Sequence, residues 1–107
     1  MFSLDQVTSV EDVKVGNTLY HVWGATGTIH SHTILEEPFP NEYTTSYFVK
    51  NLHGWPSGGV YDDKNSLMDM GIIPNEYNQD KTFFTRESAE KYADNLRIQN
   101  RIWYPKN

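Results

Sequence analysis

The chain contains no cysteine among its 107 residues. Without thiols it can form no disulfide framework, no thiolate nucleophile and no cysteine-based zinc site, so we expect a reducing, cytoplasmic setting. Long hydrophobic runs are missing too: no stretch reaches the roughly 18 apolar residues that a membrane span needs. The N-terminal residues also lack the basic and then apolar pattern of a signal peptide. We therefore expect a protein that neither crosses nor binds a membrane.

Basic residues are scarce in the first three quarters of the chain. Residues 1–80 hold eleven acidic and three basic side chains, whereas residues 81–107 hold six basic and three acidic ones, and the net charge is −5. Proteins that bind nucleic acid directly usually carry a basic stripe, so the sequence predicts no such contact. The acidic part favours a protein partner with a basic surface. The alternative is that the acids only keep surface loops hydrated.

Sequence signatures of catalysis are also missing. The chain has no Gly-x-Ser-x-Gly elbow, no phosphate-binding Gly-x-x-x-x-Gly-Lys loop and no dinucleotide fingerprint, so we expect no enzyme and no cofactor.

One stretch, TIHSHT, leaves a metal site open. His30 and His32 would share a strand face, and a neighbouring strand could add His21, with Glu36 or Glu37 as a carboxylate ligand. These residues are the basis of one functional hypothesis, a metal-dependent hydrolase. An ordinary polar strand face explains the same residues, and we expect no metal.

What the sequence does contain predicts one α+β domain over residues 1–107. Strand-forming runs separated by glycine and proline predict strands at about 18–23, 28–36, 43–50 and 81–84. Thr85 and the stripe of Ala89, Tyr92, Ala93 and Leu96 predict a helix at about 86–98. We expect a small twisted antiparallel sheet, or a partly open SH3-like barrel, with one C-terminal helix.

Two phrases carry a family resemblance, VKVGNTLYHV and FFTRESAEKYADNL. With the turn-separated strands between them, they resemble small accessory proteins of tailed phages and their bacterial hosts, which pair an SH3-like barrel or meander with one late helix. The resemblance implies a non-catalytic protein that inhibits or modulates a host factor, such as a defence factor, by protein–protein contact. It implies a location in the host cytoplasm and brings no catalytic residue.

The stretch NLHGWPSGGVYDD is rich in residues that break regular structure, and it predicts an irregular loop over residues 53–66. As a binding loop it would use His53, Trp55 and Tyr61 as contacts, with Asp62 and Asp63 to attract a basic partner. As a lid, the same aromatic side chains would fold inward over an edge of the core.

Two further alternatives concern the basic residues. A module that sequesters a small nucleotide-like ligand would need positive charge, which Lys50, Lys81 and Arg86 could supply. The tail residues Trp103 and Tyr104 would either dock on the sheet or form a homodimer contact, with the basic end of one copy against the acidic part of another.

Overall fold

The structure is a computed structural model, and it describes residues 5–40, 46–73 and 79–99. A 3₁₀ turn at Val10–Asp12 precedes six strands and one helix. These are β1 (Thr18–Val22), β2 (Ile29–Ile34), β3 (Phe39–Pro40), β4 (Tyr47–Gly54), β5 (Val60–Ser66), β6 (Lys81–Phe83) and α1 (Arg86–Ile98). No helix in these three ranges is long and apolar enough to span a membrane.

The strands form one antiparallel sheet that does not close into a barrel. Its main body runs β5-β4-β2-β1-β6, and the short β3 pairs with the first two residues of β4. With the C-terminal helix α1, this open sheet confirms the predicted α+β class.

The register of β1 and β2 decides which side chains share a face. Leu19 pairs with His32 and His21 with His30, so these four side chains point to the same side. We call this side the histidine face and the opposite side, which carries Tyr20, the helix face.

Each face has its own apolar cluster. On the helix face, α1 packs its small buried stripe against the strands; this cluster contains Val22, Phe83, Ala89, Ala93 and Leu96. On the histidine face, the N-terminal segment and the turns after β5 cover one half of the sheet; this cluster contains Val7, Val13, Leu19, Ile34, Val49, Leu67, Met70 and Ile72. The other half of the histidine face is polar, and the candidate site lies there.

The local signals that end the elements act as the sequence indicates. The Thr85 hydroxyl accepts a hydrogen bond from the Ser88 N–H at 3.2 Å and so caps α1. Gly71 has φ +74°, and a Cβ at this position would meet the carbonyl oxygen of Asp80. Only glycine therefore fits this turn without strain.

The prediction of an irregular loop over residues 53–66 is wrong. His53 and Gly54 belong to β4, which continues four residues past the predicted end at Lys50, and Tyr61, Asp62 and Asp63 lie in β5. Only residues 55–59 form the turn. β5 has a polar sequence of low strand propensity, but seven consecutive pairs with β4 hold it extended. Charged side chains are common on such edge strands.

Several expectations lie outside the described residues. The first part of the predicted third strand, residues 43–45, and the tail residues Trp103 and Tyr104 are among them.

Candidate functional site

All four histidines of the chain meet on the histidine face. The register sets His21 opposite His30 and His32 opposite His53 on three adjacent strands. Their exposed fractions are 5%, 1%, 0% and 3% for His21, His30, His32 and His53. Buried polar groups need hydrogen-bond partners, and all eight ring nitrogens of these histidines have one.

One hydrogen-bonded chain starts at Asp63. Its carboxylate lies 2.8 Å from Nδ1 of His53, and Nε2 of His53 lies 2.9 Å from Nδ1 of His30. Nε2 of His30 then lies 3.2 Å from the hydroxyl of Thr28, which is 2.6 Å from the hydroxyl of Thr26. Because the carboxylate can only accept, Nδ1 of His53 donates to Asp63.

The second chain starts at Asp80. Its carboxylate lies 2.7 Å from Nε2 of His21, and Nδ1 of His21 lies 3.3 Å from Nε2 of His32. The amide nitrogen of Asn51 donates to the side-chain oxygen of Asn65, so the side-chain oxygen of Asn51 faces His32. Nδ1 of His32 donates to this oxygen at 2.8 Å. Nε2 of His32 then accepts from Nδ1 of His21, whose Nε2 lies against the Asp80 carboxylate.

Burial keeps the central histidines neutral. Burial, followed by the nearby His53 and His21, lowers the pKa of His30 to about 3. Burial, followed by the charge of His21, lowers the pKa of His32 to about 3. Imidazoles with such a low pKa are weak bases at neutral pH, so His30 and His32 are poorly suited to act as general bases.

The residues of the metal hypothesis are arranged for hydrogen bonding. His21, His30 and His32 do come together, but each of their ring nitrogens already has a partner. Glu36 points elsewhere and pairs with Lys50 at 3.2 Å. Within residues 5–40, 46–73 and 79–99, no group of three or more histidine or carboxylate side chains could hold a metal ion.

Two tryptophans cover the network. The indole of Trp23 stacks on His30 with ring centroids 3.9 Å apart and planes 8° apart. Trp55 stacks on His53 at 4.7 Å and 13°, and the two indoles meet edge to face at 5.2 Å. Trp55 nevertheless remains 39% exposed. Its side chain therefore covers the histidines and is also part of the molecular surface.

The exposed end of the β4–β5 hairpin carries an unusual amount of apolar surface. Val60 is 60% and Tyr61 62% exposed, and Asp62 beside them is exposed too. The Tyr61 ring lies over Gly59, where a Cβ would come within 2.9 Å of it. Among the described residues, three of the six exposed large hydrophobic side chains lie here. We call Trp55, Val60, Tyr61 and Asp62 the hairpin surface.

Neighbouring aspartates of β5 have different surroundings. Asp62 points away from the histidine face, whereas Asp63 accepts hydrogen bonds from His53 and from the Lys64 N–H, each at 2.8 Å. Burial raises the pKa of Asp63, but these hydrogen bonds outweigh it and leave the pKa below its usual 3.8. His53 and Asp63 are therefore network residues, whereas Trp55, Tyr61 and Asp62 are exposed.

The three basic residues of the small-ligand hypothesis have separate surroundings. Lys81 lies over the ring of Tyr92, and Arg86 over the ring of Tyr20, both beside α1. Lys50 lines an open groove of about 740 Å³ with acidic and basic neighbours; the lining residues are Glu36, Glu37, Phe39, Lys50 and Lys64. The charges in this groove partly cancel, so it offers little attraction to a phosphate.

The sequence predicted that His21, His30 and His32 could come together, but it did not predict their partners Asn51, His53 and Asp80. Val49, Asn51 and His53 are buried at every second position of β4, and this period of two indicates a strand that continues past Lys50. The partners Asp80 and Trp23 carry no such signal, because each comes from the end of a different segment.

Fold and site together define a small α+β protein in which an exposed aromatic hairpin rests on a buried histidine network. The family model of the Phage g100-like protein matches residues 7–96, so the chain belongs to that family. The match covers every strand and nearly all of α1. It confirms the phage part of the resemblance. No curated protein and no solved structure matches the chain.

Proposed function

We propose that this phage protein is a non-catalytic binding protein that contacts a basic surface of a host protein through the hairpin surface, and thereby inhibits or modulates that protein. The observation that carries this proposal is the exposure of Trp55 and Tyr61 on the histidine face at the end of the hairpin, with Val60 and Asp62 exposed on the opposite side of β5. Apolar patches of this kind, next to polar residues, are typical of interaction sites.

Trp55 has the properties of a binding anchor. Stacking on His53 and edge contacts with Trp23 and His30 fix its ring before any partner arrives. A side chain that is already ordered loses little conformational entropy on binding. Tryptophan and tyrosine are also the residues most enriched among those that dominate binding energies.

Charge supports a basic partner. Asp62 is exposed next to Tyr61 in the chain, on the opposite side of β5, and the first 80 residues of the chain are strongly acidic. Charges at the rim of an interface mainly raise the association rate and suppress wrong partners. Aromatic contacts would then supply affinity, and the acidic surroundings would supply steering.

The test is capture of partners from cells of the phage host, with tagged wild-type protein and two variants compared by quantitative mass spectrometry. Tyr61→Ala removes an exposed side chain of the hairpin surface, and Ile98→Ala removes an apolar side chain, 82% exposed, from the end of α1. We expect one host protein to be retained by the wild type and Ile98→Ala and lost with Tyr61→Ala. Equal retention by all three would contradict the proposal.

A further inference from the structure

One edge of β5 faces away from β4. β5 pairs with β4 over its whole length, and no strand in the described part of the chain pairs with its other side. Hydrogen bonds just beyond the strand ends, from the Trp55 N–H to the Gly59 carbonyl and from the Leu67 N–H to the Tyr47 carbonyl, fix which residues face β4. In an antiparallel pair these positions alternate, so odd-numbered residues of β5 bond to β4.

Even-numbered residues of β5 consequently direct their backbone groups outward. These residues are Val60, Asp62, Lys64 and Ser66. The outward N–H of Lys64 is already used, because it donates to the carboxylate of Asp63 at 2.8 Å. The part of the edge with outward N–H groups that lies in the exposed hairpin is therefore Val60 to Asp62.

This short edge is continuous with the hairpin surface. Val60 and Asp62 belong to both, and their exposed side chains point to the helix face of the sheet, where a residue of an added strand would lie opposite them. We propose that the edge at Val60–Asp62 binds an extended basic segment of the partner as an additional β-strand. The inference rests on the proposed function and names the kind of segment that the surface takes.

Charge favours a basic segment over a second copy of this chain. Strand addition gains affinity from main-chain hydrogen bonds and specificity from alternating side chains, and opposite charges across strands stabilise the pairing. A lysine or arginine opposite Asp62 meets this requirement. Antiparallel self-pairing centred on Tyr61 would instead place Asp62 of each copy opposite the apolar Val60 of the other. Self-pairing centred on Asp63 would place Asp62 opposite Lys64, but the outward N–H of Lys64 already donates to the Asp63 carboxylate, so this register would lack main-chain hydrogen bonds.

The experiment uses the full chain and a labelled peptide, Lys-Val-Lys-Thr-Lys-Val-Lys, with the matched peptide Glu-Val-Glu-Thr-Glu-Val-Glu as control. Hydrogen exchange measured by NMR reads each amide separately. We expect the basic peptide to slow exchange at Val60 and Asp62 at least tenfold and to leave Tyr61 and Asp63, already bonded to β4, nearly unchanged. No binding of the basic peptide, equal binding of the acidic one, or protection without this alternation would overturn the proposal.

Two variants give an independent test. Asp62→Pro removes an outward N–H without removing a bond to β4, and proline is tolerated at such edge positions. Asp62→Asn keeps the N–H and removes only the charge. We expect Asp62→Pro to weaken peptide binding more than tenfold and Asp62→Asn to weaken it less, mainly at low salt. Equal binding by Asp62→Pro and wild type would contradict strand addition, and if Asp62→Pro fails to fold, the exchange pattern of the wild type decides alone.

The outcomes separate this inference from the proposed function. If Tyr61→Ala loses the host protein while Asp62→Pro keeps it, the hairpin surface binds without strand addition. If the wild type is a dimer on gel filtration and Asp62→Pro a monomer, the edge binds a second copy, and the proposal of a basic segment is wrong.

Discussion

The indole of Trp55 lies parallel to the imidazole of His53, with ring centroids 4.7 Å apart and planes 13° apart. One face of the indole completes the cover of the histidine network, while 39% of the residue is exposed. The two interpretations of this tryptophan, a lid on the core and a binding contact, are therefore two roles of one side chain. A single truncation will affect both stability and binding.

We expect Trp55→Ala to lower the free energy of unfolding by about 2 kcal/mol. The full loss of a buried tryptophan costs roughly 3–5 kcal/mol, and partial exposure reduces this. Trp55→Phe keeps an aromatic ring over His53 and should recover much of the loss. Urea unfolding of both variants measures this. An unchanged midpoint for Trp55→Ala would show that the stacking adds nothing to stability.

Acid should destabilise the fold through the buried histidines. The pKa of His30 and of His32 is about 3 in the folded protein, below the usual 6.5 of an unfolded chain. The unfolded state therefore binds more protons, so stability is complete above about pH 6.5 and is lost as the pH falls toward 3. At pH 5 each histidine should cost roughly 2 kcal/mol.

The measurement is the free energy of unfolding in urea at pH 7.5, 6 and 5. His30→Gln removes one of the two histidines whose pKa is lowered in the folded protein. The free energy of unfolding should therefore fall less between pH 7.5 and pH 5 in this variant than in the wild type. An equal free energy of unfolding at pH 7.5 and pH 5 in the wild type would contradict the neutral, buried network.

The adjacent aspartates of β5 should respond differently to substitution. Asp63→Ala leaves the buried Nδ1–H of His53 without its acceptor, which costs about 1–3 kcal/mol of stability. Asp62→Ala removes an exposed side chain and should change stability by about 0.5 kcal/mol or less. Thermal melts of the two variants side by side check this. Equal losses would mean that the hydrogen bond to His53 does not contribute.

Charge removal at Asp62 should act on the kinetics of binding. We expect Asp62→Asn to slow association with the captured host protein and to flatten its dependence on salt, with a small effect on dissociation. Surface plasmon resonance at several salt concentrations separates the two rates. A faster dissociation with unchanged association would contradict the steering role.

The sequence predicts this fold best where local signals are strong. Thr85 as a cap and the apolar stripe of α1 locate the helix, and the β-forming run before Gly24 locates the first hairpin strand. β5 escaped prediction because Asp62, Asp63 and Lys64 have no strand propensity of their own. Their extended conformation comes from pairing with β4, which is a tertiary effect.

The candidate site was predictable only in part. The spacing of His30 and His32 indicates a shared strand face, but the partners of these side chains depend on strand register. His53 was assigned to a loop, and Asp80 lies 59 residues from its partner His21. No local pattern connects residues so far apart, so the network becomes visible only when the sheet is assembled.

Binding through the hairpin surface is tested by the affinity of the captured host protein for Tyr61→Ala, measured by titration calorimetry beside the wild type and Ile98→Ala. Tyr61 is 62% exposed, so its truncation should leave the melting temperature nearly unchanged and isolate binding from folding. We expect the dissociation constant to rise at least tenfold for Tyr61→Ala and to stay unchanged for Ile98→Ala. Equal dissociation constants for all three proteins would contradict the hairpin surface as the binding site.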